Sequence, residues 1–466
     1  MKEISCKLLV IGAGPGGYVC AIRAGQLGVD TVIVEAGKPG GTCLNVGCIP
    51  SKALIHAAEE YDKIRHMAEG QSPLGISLQA PPSLDLAATV AWKDGIVGRL
   101  NSGVSGLLRK ARVKIVQGRA AFRDGKTVEV QTETGMQVIR AEMVVIATGS
   151  KPVELPFLPF GGPVISSTEA LSLTALPKKL VVVGGGYIGL ELGTAFAKLG
   201  SEVTIVEAAA QVLPQYDGEL VRPVQKRLQQ LGVRVLTGAK AKGLASGGDA
   251  LLVETSDGKE HTLQADKILV TVGRRPNTDM VGLEGLDLDR SGPFLRIDDQ
   301  CRTSMRGVFA IGDITGEPML AHRAMAQGEM VAEIAAGLKR GWDKRCIPAV
   351  CFTDPEILSA GLSPDEARRN GLEVRVGQFP FSANGRAMTM LAEDGFVRVV
   401  ARADNNVVLG LQAVGAGVSE LASAFALAIE MGARVEDIAA TVHAHPTRGE
   451  ALQEAALKTL GHALHI

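Results

Sequence analysis

One pattern occurs twice in this chain and constrains its fold more than any other feature: a short apolar strand, a glycine-rich turn, a helix and a second strand that ends in an acid. Each copy carries three glycines spaced as GxGxxG and a terminal acid: Gly12, Gly14, Gly17 and Glu35 in the first, and Gly184, Gly186, Gly189 and Glu207 in the second. The acid follows the first glycine at the same interval in both copies. A single GxGxxG is weak evidence of a ligand site, but two copies in the same strand–helix setting are strong.

Each part of this pattern has a physical role in binding a dinucleotide. One glycine permits a tight turn, another lets the backbone approach a pyrophosphate, and the third lets the helix pack closely on the strand. The amides and the dipole of the helix N-terminus then receive the phosphates, and the acid binds ribose hydroxyls. The chain is therefore predicted to be an α/β protein with two Rossmann-like dinucleotide-binding domains.

The residues after the second acid indicate which nicotinamide cofactor is bound. Three alanines follow Glu207, so no arginine stands beside it to receive a 2′-phosphate. A carboxylate close to a phosphate dianion would repel it. The second site is predicted to take NAD rather than NADP, unless a distant loop supplies arginines.

Composition excludes several other classes of protein. With 466 residues the chain is long enough for about three domains. Lys and Arg total 49 against 50 for Asp and Glu, and only 4% of residues are aromatic, so no nucleic-acid partner is expected. The N-terminus does not read as a signal peptide, and no apolar run reaches the ~18 residues of a membrane span. A cytoplasmic protein without membrane association is expected.

A pair of cysteines follows the first nucleotide motif, in the segment GGTCLNVGCIPSK at 40–52. Cys43 and Cys48 are five residues apart, too far to face each other on a regular helix. A bridge between them needs a distorted turn, which the glycines permit. Pro50 and Lys52 are predicted to begin a helix, and a helix N-terminus and a lysine lower a thiol pKa and favour exchange chemistry.

The other five cysteines are predicted to be structural. Cys346 and Cys351 have the same spacing as the first pair, but no glycine lies between them and no nucleotide motif is adjacent. Buried cysteines that pack as small hydrophobes are common. The same interpretation applies to Cys6, Cys20 and Cys301.

The C-terminal region is predicted to form an α+β domain. Residues 396–402 and 407–414 alternate around a turn and predict an antiparallel hairpin, and a largely apolar helix is expected over about 419–431. Surplus apolar surface on such a domain is typical of a dimerisation domain.

A histidine and a glutamate near the C-terminus are the predicted acid–base pair. His445 lies in HAHPTRGE, and Glu450 begins a predicted helix. A carboxylate that is hydrogen-bonded to imidazole fixes the tautomer of the ring and raises its basicity, which suits proton exchange with a thiol. His443 and His445 could also suggest a metal, but no further ligands cluster there, so no metal site is expected.

Together these motifs resemble the flavin-dependent pyridine nucleotide–disulfide oxidoreductases, and the resemblance covers essentially the whole chain. Further matching motifs are ATGS at 147–150, TVGRRPNT at 271–278 and VFAIGDIT at 308–315. The resemblance implies FAD in the first fold and NAD in the second. The domain bounds that it implies are 1–150 for FAD binding, 151–278 for NAD binding, 279–345 for a continuation of the FAD domain, and 346–466 for dimerisation.

The resemblance also implies roles for individual residues. Cys43 and Cys48 would form a redox-active disulfide, with Cys43 as the interchange thiol and Cys48 nearer the flavin. His445 of the partner subunit would accept the substrate proton, oriented by Glu450, so that the active site exists only in a dimer. Gly449 stands where the family usually has Ser, which bears on local rigidity more than on activity.

Other residues are expected to contact the cofactors. Asp313 would bind the ribityl chain, Lys52 would lie beside the flavin and pair with Glu191, and Tyr187 would cover the flavin where nicotinamide docks, unless it is only a packed aromatic. The full set of expected cofactor contacts is Gly12, Gly14, Gly17, Glu35, Thr42, Lys52, Gly118, Thr148, Gly149, Asp313, Ala321, Gly184, Gly186, Tyr187, Ile188, Gly189, Glu191, Glu207 and Gly273.

Within the family, the HAHPT motif with its Glu resembles the branch that oxidises dihydrolipoamide with NAD more closely than the glutathione-type reductases. This implies a homodimer that serves a lipoyl-bearing acyltransferase subunit of a 2-oxo acid dehydrogenase or glycine cleavage complex. Three alternatives stay open: an NADPH-dependent reductase of a different disulfide, a flavin enzyme that uses no disulfide, and a mainly structural subunit of a larger assembly.

Overall fold

The protein is described from a computed structural model, in residues 2–279 and 282–466. Residues 2–156 contain β1 (Lys2–Ile11), α1 (Pro15–Gln26), β2 (Thr31–Glu35), α2 (Gly41–Val46), α3 (Cys48–Ala68), α4 (Leu86–Lys110), β3 (Lys114–Gln117), β4 (Arg119–Asp124), β5 (Thr127–Thr132), β6 (Gly135–Ile146) and β7 (Ser150–Pro152). Residues 157–271 contain β8 (Val164–Ile165), α5 (Ser167–Ala170), β9 (Lys179–Val183), α6 (Tyr187–Leu199), β10 (Glu202–Glu207), α7 (Gly218–Gln230), β11 (Arg234–Thr237), β12 (Lys240–Leu244), β13 (Ala250–Glu254), β14 (Glu260–Gln264) and β15 (Lys267–Val270).

The remaining elements complete the chain. Residues 272–343 contain β16 (Arg274–Pro276), β17 (Arg290–Ser291), β18 (Phe294–Leu295), β19 (Val308–Ala310) and α8 (Ala321–Ala335). Residues 344–466 contain β20 (Ala349–Cys351), β21 (Glu356–Gly361), α9 (Pro364–Arg369), β22 (Val374–Pro380), α10 (Gly385–Thr389), β23 (Phe396–Arg402), β24 (Val408–Gly415), α11 (Ala422–Glu430), α12 (Val435–Ala440) and α13 (Glu450–Leu460).

The chain divides into two compact units. The first unit comprises residues 1–156, 165–175 and 272–343, and the second comprises 157–164, 176–271 and 344–466. The four predicted domain bounds do not coincide with this division, and they stay a prediction.

The first unit is built on a mixed sheet in the order β3-β2-β1-β6-β5-β4, with β19 also paired to β6. Strand β1 lies in the middle and pairs in parallel with β2 and β6. Its apolar run is fully buried because side chains on alternate faces enter two different cores: Leu8 and Val10 pack with α1 and α8, whereas Leu9 and Ile11 pack with β4 to β6. The predicted strand–turn–helix–strand of the first motif is confirmed.

The second unit contains the repeat of this arrangement. Strands β11, β10, β9 and β15 pair in parallel, with α6 between β9 and β10. Helix α6 ends at Leu199 and β10 ends at Glu207, as the sequence predicts. Both copies place the glycine turn at the carboxyl end of the central strand, which is where nucleotides bind in doubly wound folds.

The second unit also contains the C-terminal antiparallel sheet, in the order β20-β21-β24-β23-β22. The predicted hairpin is β23 and β24, and the predicted apolar helix is a 3-10 turn followed by α11. The predicted antiparallel pairing is confirmed, and both faces of β23 are buried. Polar side chains on the second face, those of Arg398 and Gln412, bond to each other, and Arg398 also pairs with Asp217 and Glu219 at the start of α7.

Candidate functional site

The two glycine turns share one geometry. Gly14 immediately precedes α1, and Gly186 immediately precedes α6. A Cβ on Gly17 would lie 1.9 Å from the carbonyl oxygen of Gly12, and a Cβ on Gly189 would lie 2.1 Å from that of Gly184. Only glycine allows the helix to approach the strand this closely, so the third glycine of each motif fixes the position of the helix N-terminus.

The terminal acid of each motif holds its own turn in place. Each carboxylate accepts two backbone N–H groups: Glu35 from Ala13 and Gly37 at 2.6 and 2.7 Å, and Glu207 from Gly185 and Ala209 at 2.6 and 2.7 Å. A carboxylate oxygen has a second lone pair, which remains for a ribose hydroxyl. The acid therefore ties the glycine turn to the end of the second strand, a role that the sequence did not predict.

Both turns fit a dinucleotide pyrophosphate. Neither Gly14 nor Gly186 supplies a capping side chain, and the first turns of α1 and α6 contain no acidic residue. Their first amides and dipole can therefore receive phosphate oxygens without competition from a carboxylate. Tyr187 and Ile188 are the first two residues of α6, and Tyr187 is 37% exposed, so its ring is not an internally packed aromatic.

Asp313 belongs to a hydrogen-bonded chain in the first unit. The hydroxyl of Ser150 donates to Asp313, the guanidinium of Arg274 donates to both Ser150 oxygens at 2.8 and 2.7 Å, and Arg274 also reaches the Thr42 hydroxyl at 3.4 Å. Arg274 and Ser150 lie in the motifs TVGRRPNT and ATGS. Because the two motifs are distant in sequence, no local pattern indicated that their side chains meet.

The other predicted contacts of the first unit lie on the connections between its strands. Thr148 exchanges two hydrogen bonds of 3.0 Å with Asn277, and Gly149 accepts the N–H of Asn277 at 2.9 Å. Gly118 donates to the Glu35 carbonyl at 2.9 Å, just after β3. Gly273 precedes β16, and Ala321 is the first residue of α8.

Cys43 and Cys48 are brought together by a break in the helix. Cys43 lies in α2 and Cys48 begins α3, and Gly47 between the two helices has φ −139° and ψ −112°, outside the helical region. The two side chains are hydrogen-bonded thiols, Cys43 half-buried and Cys48 exposed. The predicted distorted turn and the predicted helix that contains Pro50 and Lys52 are both confirmed.

The pKa of Cys43 differs from the prediction. The hydrogen bond that the Cys43 thiol donates to Cys48, burial, and the negative charge of a Cys48 thiolate raise the pKa of Cys43, although Lys52 acts to lower it. The expectation of a lowered pKa is therefore wrong for Cys43 when Cys48 carries the thiolate charge. A pair of thiols that shares one hydrogen bond holds its second proton tightly, so an external base is needed to remove that proton.

The other cysteines are placed as the sequence predicted. Burial raises the pKa of Cys6, Cys20 and Cys301 to about 12 in each case. Cys351 is fully buried in β20, and burial also raises the pKa of the half-buried Cys346. Thiols with raised pKa values are poor nucleophiles near neutral pH, which agrees with a structural role.

His445 and Glu450 are hydrogen-bonded in the second unit. Nδ1 of His445 lies 2.8 Å from Oε1 of Glu450, and the backbone N–H of Thr447 donates to Oε2 at 2.7 Å. Burial acts to raise the pKa of Glu450, but the Thr447 N–H and His445 outweigh it and hold the pKa below its usual value. An ionised Glu450 favours the tautomer with the proton on Nδ1, which leaves Nε2 of His445 to accept a proton.

Glu191 has a partner that the sequence did not indicate. It is buried in the second turn of α6 and accepts the backbone N–H of Phe352 at 2.9 Å. The ion pair expected between Lys52 and Glu191 stays a prediction.

Two kinds of site are not found in the described ranges. No group of three or more His, Cys, Asp or Glu side chains in residues 2–279 and 282–466 could hold a metal ion. Within the same ranges, no helix combines the length and the apolarity that a membrane crossing requires.

Comparison with known proteins agrees with this geometry. Residues 6–328 match the pyridine nucleotide-disulphide oxidoreductase family, and residues 347–456 match the dimerisation domain of that family. The chain is 61% identical to dihydrolipoyl dehydrogenase from Pseudomonas aeruginosa over 99% of both chains. It is 46% identical to dihydrolipoyl dehydrogenase from Geobacillus stearothermophilus over 99% of this chain and 98% of the other.

A solved structure shows the same fold. LpdA from Mycobacterium tuberculosis superposes with a TM-score of 0.89 at 27% identity, over 97% of this chain and 99% of the other. The chain therefore belongs to the pyridine nucleotide-disulphide oxidoreductases, as a homodimeric, FAD- and NAD-dependent dihydrolipoyl dehydrogenase.

Proposed function

We propose that this dihydrolipoyl dehydrogenase oxidises dihydrolipoamide carried by the acyltransferase subunit of a 2-oxo acid dehydrogenase or glycine cleavage complex, in the cytoplasm. The observation that carries the proposal is the hydrogen bond between Glu450 and Nδ1 of His445, which prepares a base for thiol chemistry. The name of the Pseudomonas aeruginosa relative supports the substrate class.

The domains are assigned in the order of the sequence motifs. Residues 1–150 and 279–345 are proposed to bind FAD, 151–278 to bind NAD, and 346–466 to form the dimer contact. FAD, when bound, supplies a two-electron carrier between the thiols and NAD. Gly12, Gly14 and Gly17 would hold its pyrophosphate, and Asp313 its ribityl hydroxyls.

Cys43 and Cys48 are proposed to carry out disulfide exchange. In the oxidised pair, one substrate thiolate attacks the sulfur of Cys43, and the bond between Cys43 and Cys48 breaks, leaving Cys48 as a thiolate. The second substrate thiolate then displaces Cys43, so that lipoamide leaves as a disulfide and both cysteines hold the two electrons that the substrate lost.

His445 of the partner subunit is proposed to move the protons of this exchange. Nε2 accepts a proton from the substrate thiol, which makes the attacking thiolate. It can also take the proton that the neighbouring Cys48 helps to retain on Cys43. Glu450 remains ionised and stabilises the imidazolium that forms, because its own pKa is held low.

Glu207 is proposed to be the residue that makes the enzyme prefer NAD to NADP. Its carboxylate already accepts two backbone N–H groups beside the second glycine turn. A 2′-phosphate placed on the adjacent ribose would face this negative charge. Steady-state turnover with NADH and NADPH, each with lipoamide or glutathione disulfide, tests both specificities. A preference for NADPH and glutathione disulfide would contradict the proposal.

Anaerobic titration with dihydrolipoamide tests the thiol chemistry. The wild-type protein should take up two electrons and develop a long-wavelength thiolate-to-flavin absorption band. Cys43→Ser should abolish this response, whereas the matched control Cys346→Ser, a member of the second pair with the same spacing, should retain it. Normal turnover by Cys43→Ser would refute the assignment. Co-purification with a lipoyl-bearing acyltransferase tests the proposed partner.

A further inference from the structure

The loop that carries His445 has little apolar packing of its own. The side chains of residues 441, 442 and 444–446 are exposed, and Val442 is 94% exposed. A loop with few buried apolar contacts depends on hydrogen bonds to keep one conformation. Groups outside the loop supply some of those bonds.

Asn384 supplies one from a distant part of the sequence. Its side chain is buried, with 4% of its surface exposed, directly before α10. Its Oδ1 accepts the backbone N–H of Ala387 at 2.9 Å and caps α10. Its Nδ2 donates to the carbonyl oxygen of Thr447 at 3.0 Å. The two partners fix the orientation of the amide, because an N–H must face an acceptor and a carbonyl must face a donor.

The bond to Thr447 leads directly to the acid–base pair. The carbonyl of Thr447 accepts from Asn384, and the N–H of the same residue donates to Oε2 of Glu450 at 2.7 Å. The other oxygen of Glu450 holds Nδ1 of His445 at 2.8 Å. The hydroxyl of Thr447 closes the loop by donating to the carbonyl of Ala444 at 2.7 Å.

We infer that Asn384 is a positioning residue for the proton transfer: it holds Thr447 so that Glu450 and His445 keep the geometry that thiol deprotonation needs. The inference rests on the proposed role of His445. It deepens that role by extending the positioning groups beyond Glu450, to a side chain that is hydrogen-bonded to Thr447 and not to the imidazole.

Two substitutions separate this role from capping. Asn384→Asp keeps an acceptor for the Ala387 N–H but has no donor for the Thr447 carbonyl. Asn384→Ser keeps a good N-cap and adds no charge, but its hydroxyl is too short to span both partners. Ser363→Ala is the matched control, because Ser363 caps α9 in the same unit and has no bond to the His445 loop.

The readouts distinguish positioning from folding. Oxidation of dihydrolipoamide requires proton transfer at the thiols, whereas NADH oxidation with ferricyanide takes electrons from the flavin and does not. We expect both Asn384 variants to lower kcat for dihydrolipoamide roughly 10- to 100-fold, the range that misplacement of a catalytic group produces. Ferricyanide activity should stay within twofold of wild type.

The outcomes separate this inference from the proposed function. His445→Gln serves as the benchmark: if it retains full dihydrolipoamide turnover, the role of His445 fails. If His445→Gln is inactive while both Asn384 variants match Ser363→Ala, only the role of Asn384 is overturned. Parallel loss of ferricyanide activity in the Asn384 variants would assign the residue to folding and would also overturn it.

Discussion

Replacing Glu450 with Gln tests how the site prepares its base. Both carboxylate oxygens of Glu450 are acceptors, one for His445 and one for the Thr447 N–H. Gln has the same shape but only one acceptor oxygen, and its NH₂ group must then face either Nδ1 of His445 or the Thr447 N–H. One of the two hydrogen bonds is therefore lost, or the imidazole moves its proton to Nε2 and can no longer accept one there.

The expected loss of kcat follows from the strength of the hydrogen bond that Glu450→Gln removes. A hydrogen bond to a charged group is worth about 1.5–3 kcal/mol. If the transition state loses this stabilisation, the rate falls about 10- to 150-fold, since each 1.36 kcal/mol is a factor of ten. Glu450→Gln should lower kcat for dihydrolipoamide by this factor.

The assay compares dihydrolipoamide oxidation with NADH–ferricyanide activity, which Glu450→Gln should leave unchanged. Glu436→Gln is the control, because Glu436 lies on α12 and bonds to Asn406 rather than to the His445 loop. A Glu450→Gln protein that turns over dihydrolipoamide within twofold of wild type would refute the claim that the site needs both carboxylate oxygens of Glu450 as acceptors.

Three further predictions concern stability and cofactor retention. Asp354→Asn should lower the free energy of unfolding by about 3–5 kcal/mol, because it removes the negative charge that pairs with the buried Lys198. Asp394→Asn, which changes an exposed ion pair, should cost at most ~1 kcal/mol, and urea unfolding measures both values. Burial acts to raise the pKa of Asp354, but Lys198 and Arg227 outweigh it and lower the pKa. The difference in unfolding free energy between wild type and Asp354→Asn should thus have its full value above about pH 4 and shrink as the pH falls through the lowered pKa. A difference that shrinks as the pH rises would contradict this prediction. Gly17→Ala should purify with a reduced ratio of flavin to protein absorbance, because its Cβ clashes with a carbonyl oxygen. Gly95→Ala is the control and should keep its FAD, because a Cβ at this position of α4 meets open space. Equal flavin content in the two variants would count against the glycine-turn assignment.

Local features of the site could be predicted from the sequence because they depend on residues that are close in the chain. The spacing of three glycines and an acid predicts a strand–turn–helix–strand, and both copies form it, with the second strand ending at the predicted acid. The break between Cys43 and Cys48 was also predictable, since five residues cannot bring two side chains together on a regular helix.

Sequence patterns were a poor guide where several contributions to the charge state or burial of one group compete. The pKa of Cys43 was expected to be lowered by Lys52, but the contact with Cys48 and burial outweigh that charge. The alternation of the C-terminal hairpin did not indicate that a charged side chain would be buried in it. Arg398 is buried because Asp217 and Glu219 of the same unit neutralise its guanidinium.

What the sequence by itself determined is the set of reactive groups and their local frames: two nucleotide turns, one thiol pair, and a histidine five residues before its glutamate. Only the tertiary structure decided how those groups are held, as when the side chain of Asn384 reaches across 63 residues of chain to the Thr447 carbonyl. The physical reason is that a hydrogen bond depends on distance and direction in space. Periodicity along a chain predicts neighbours within one element, but it carries no record of which distant amide will face a given carbonyl.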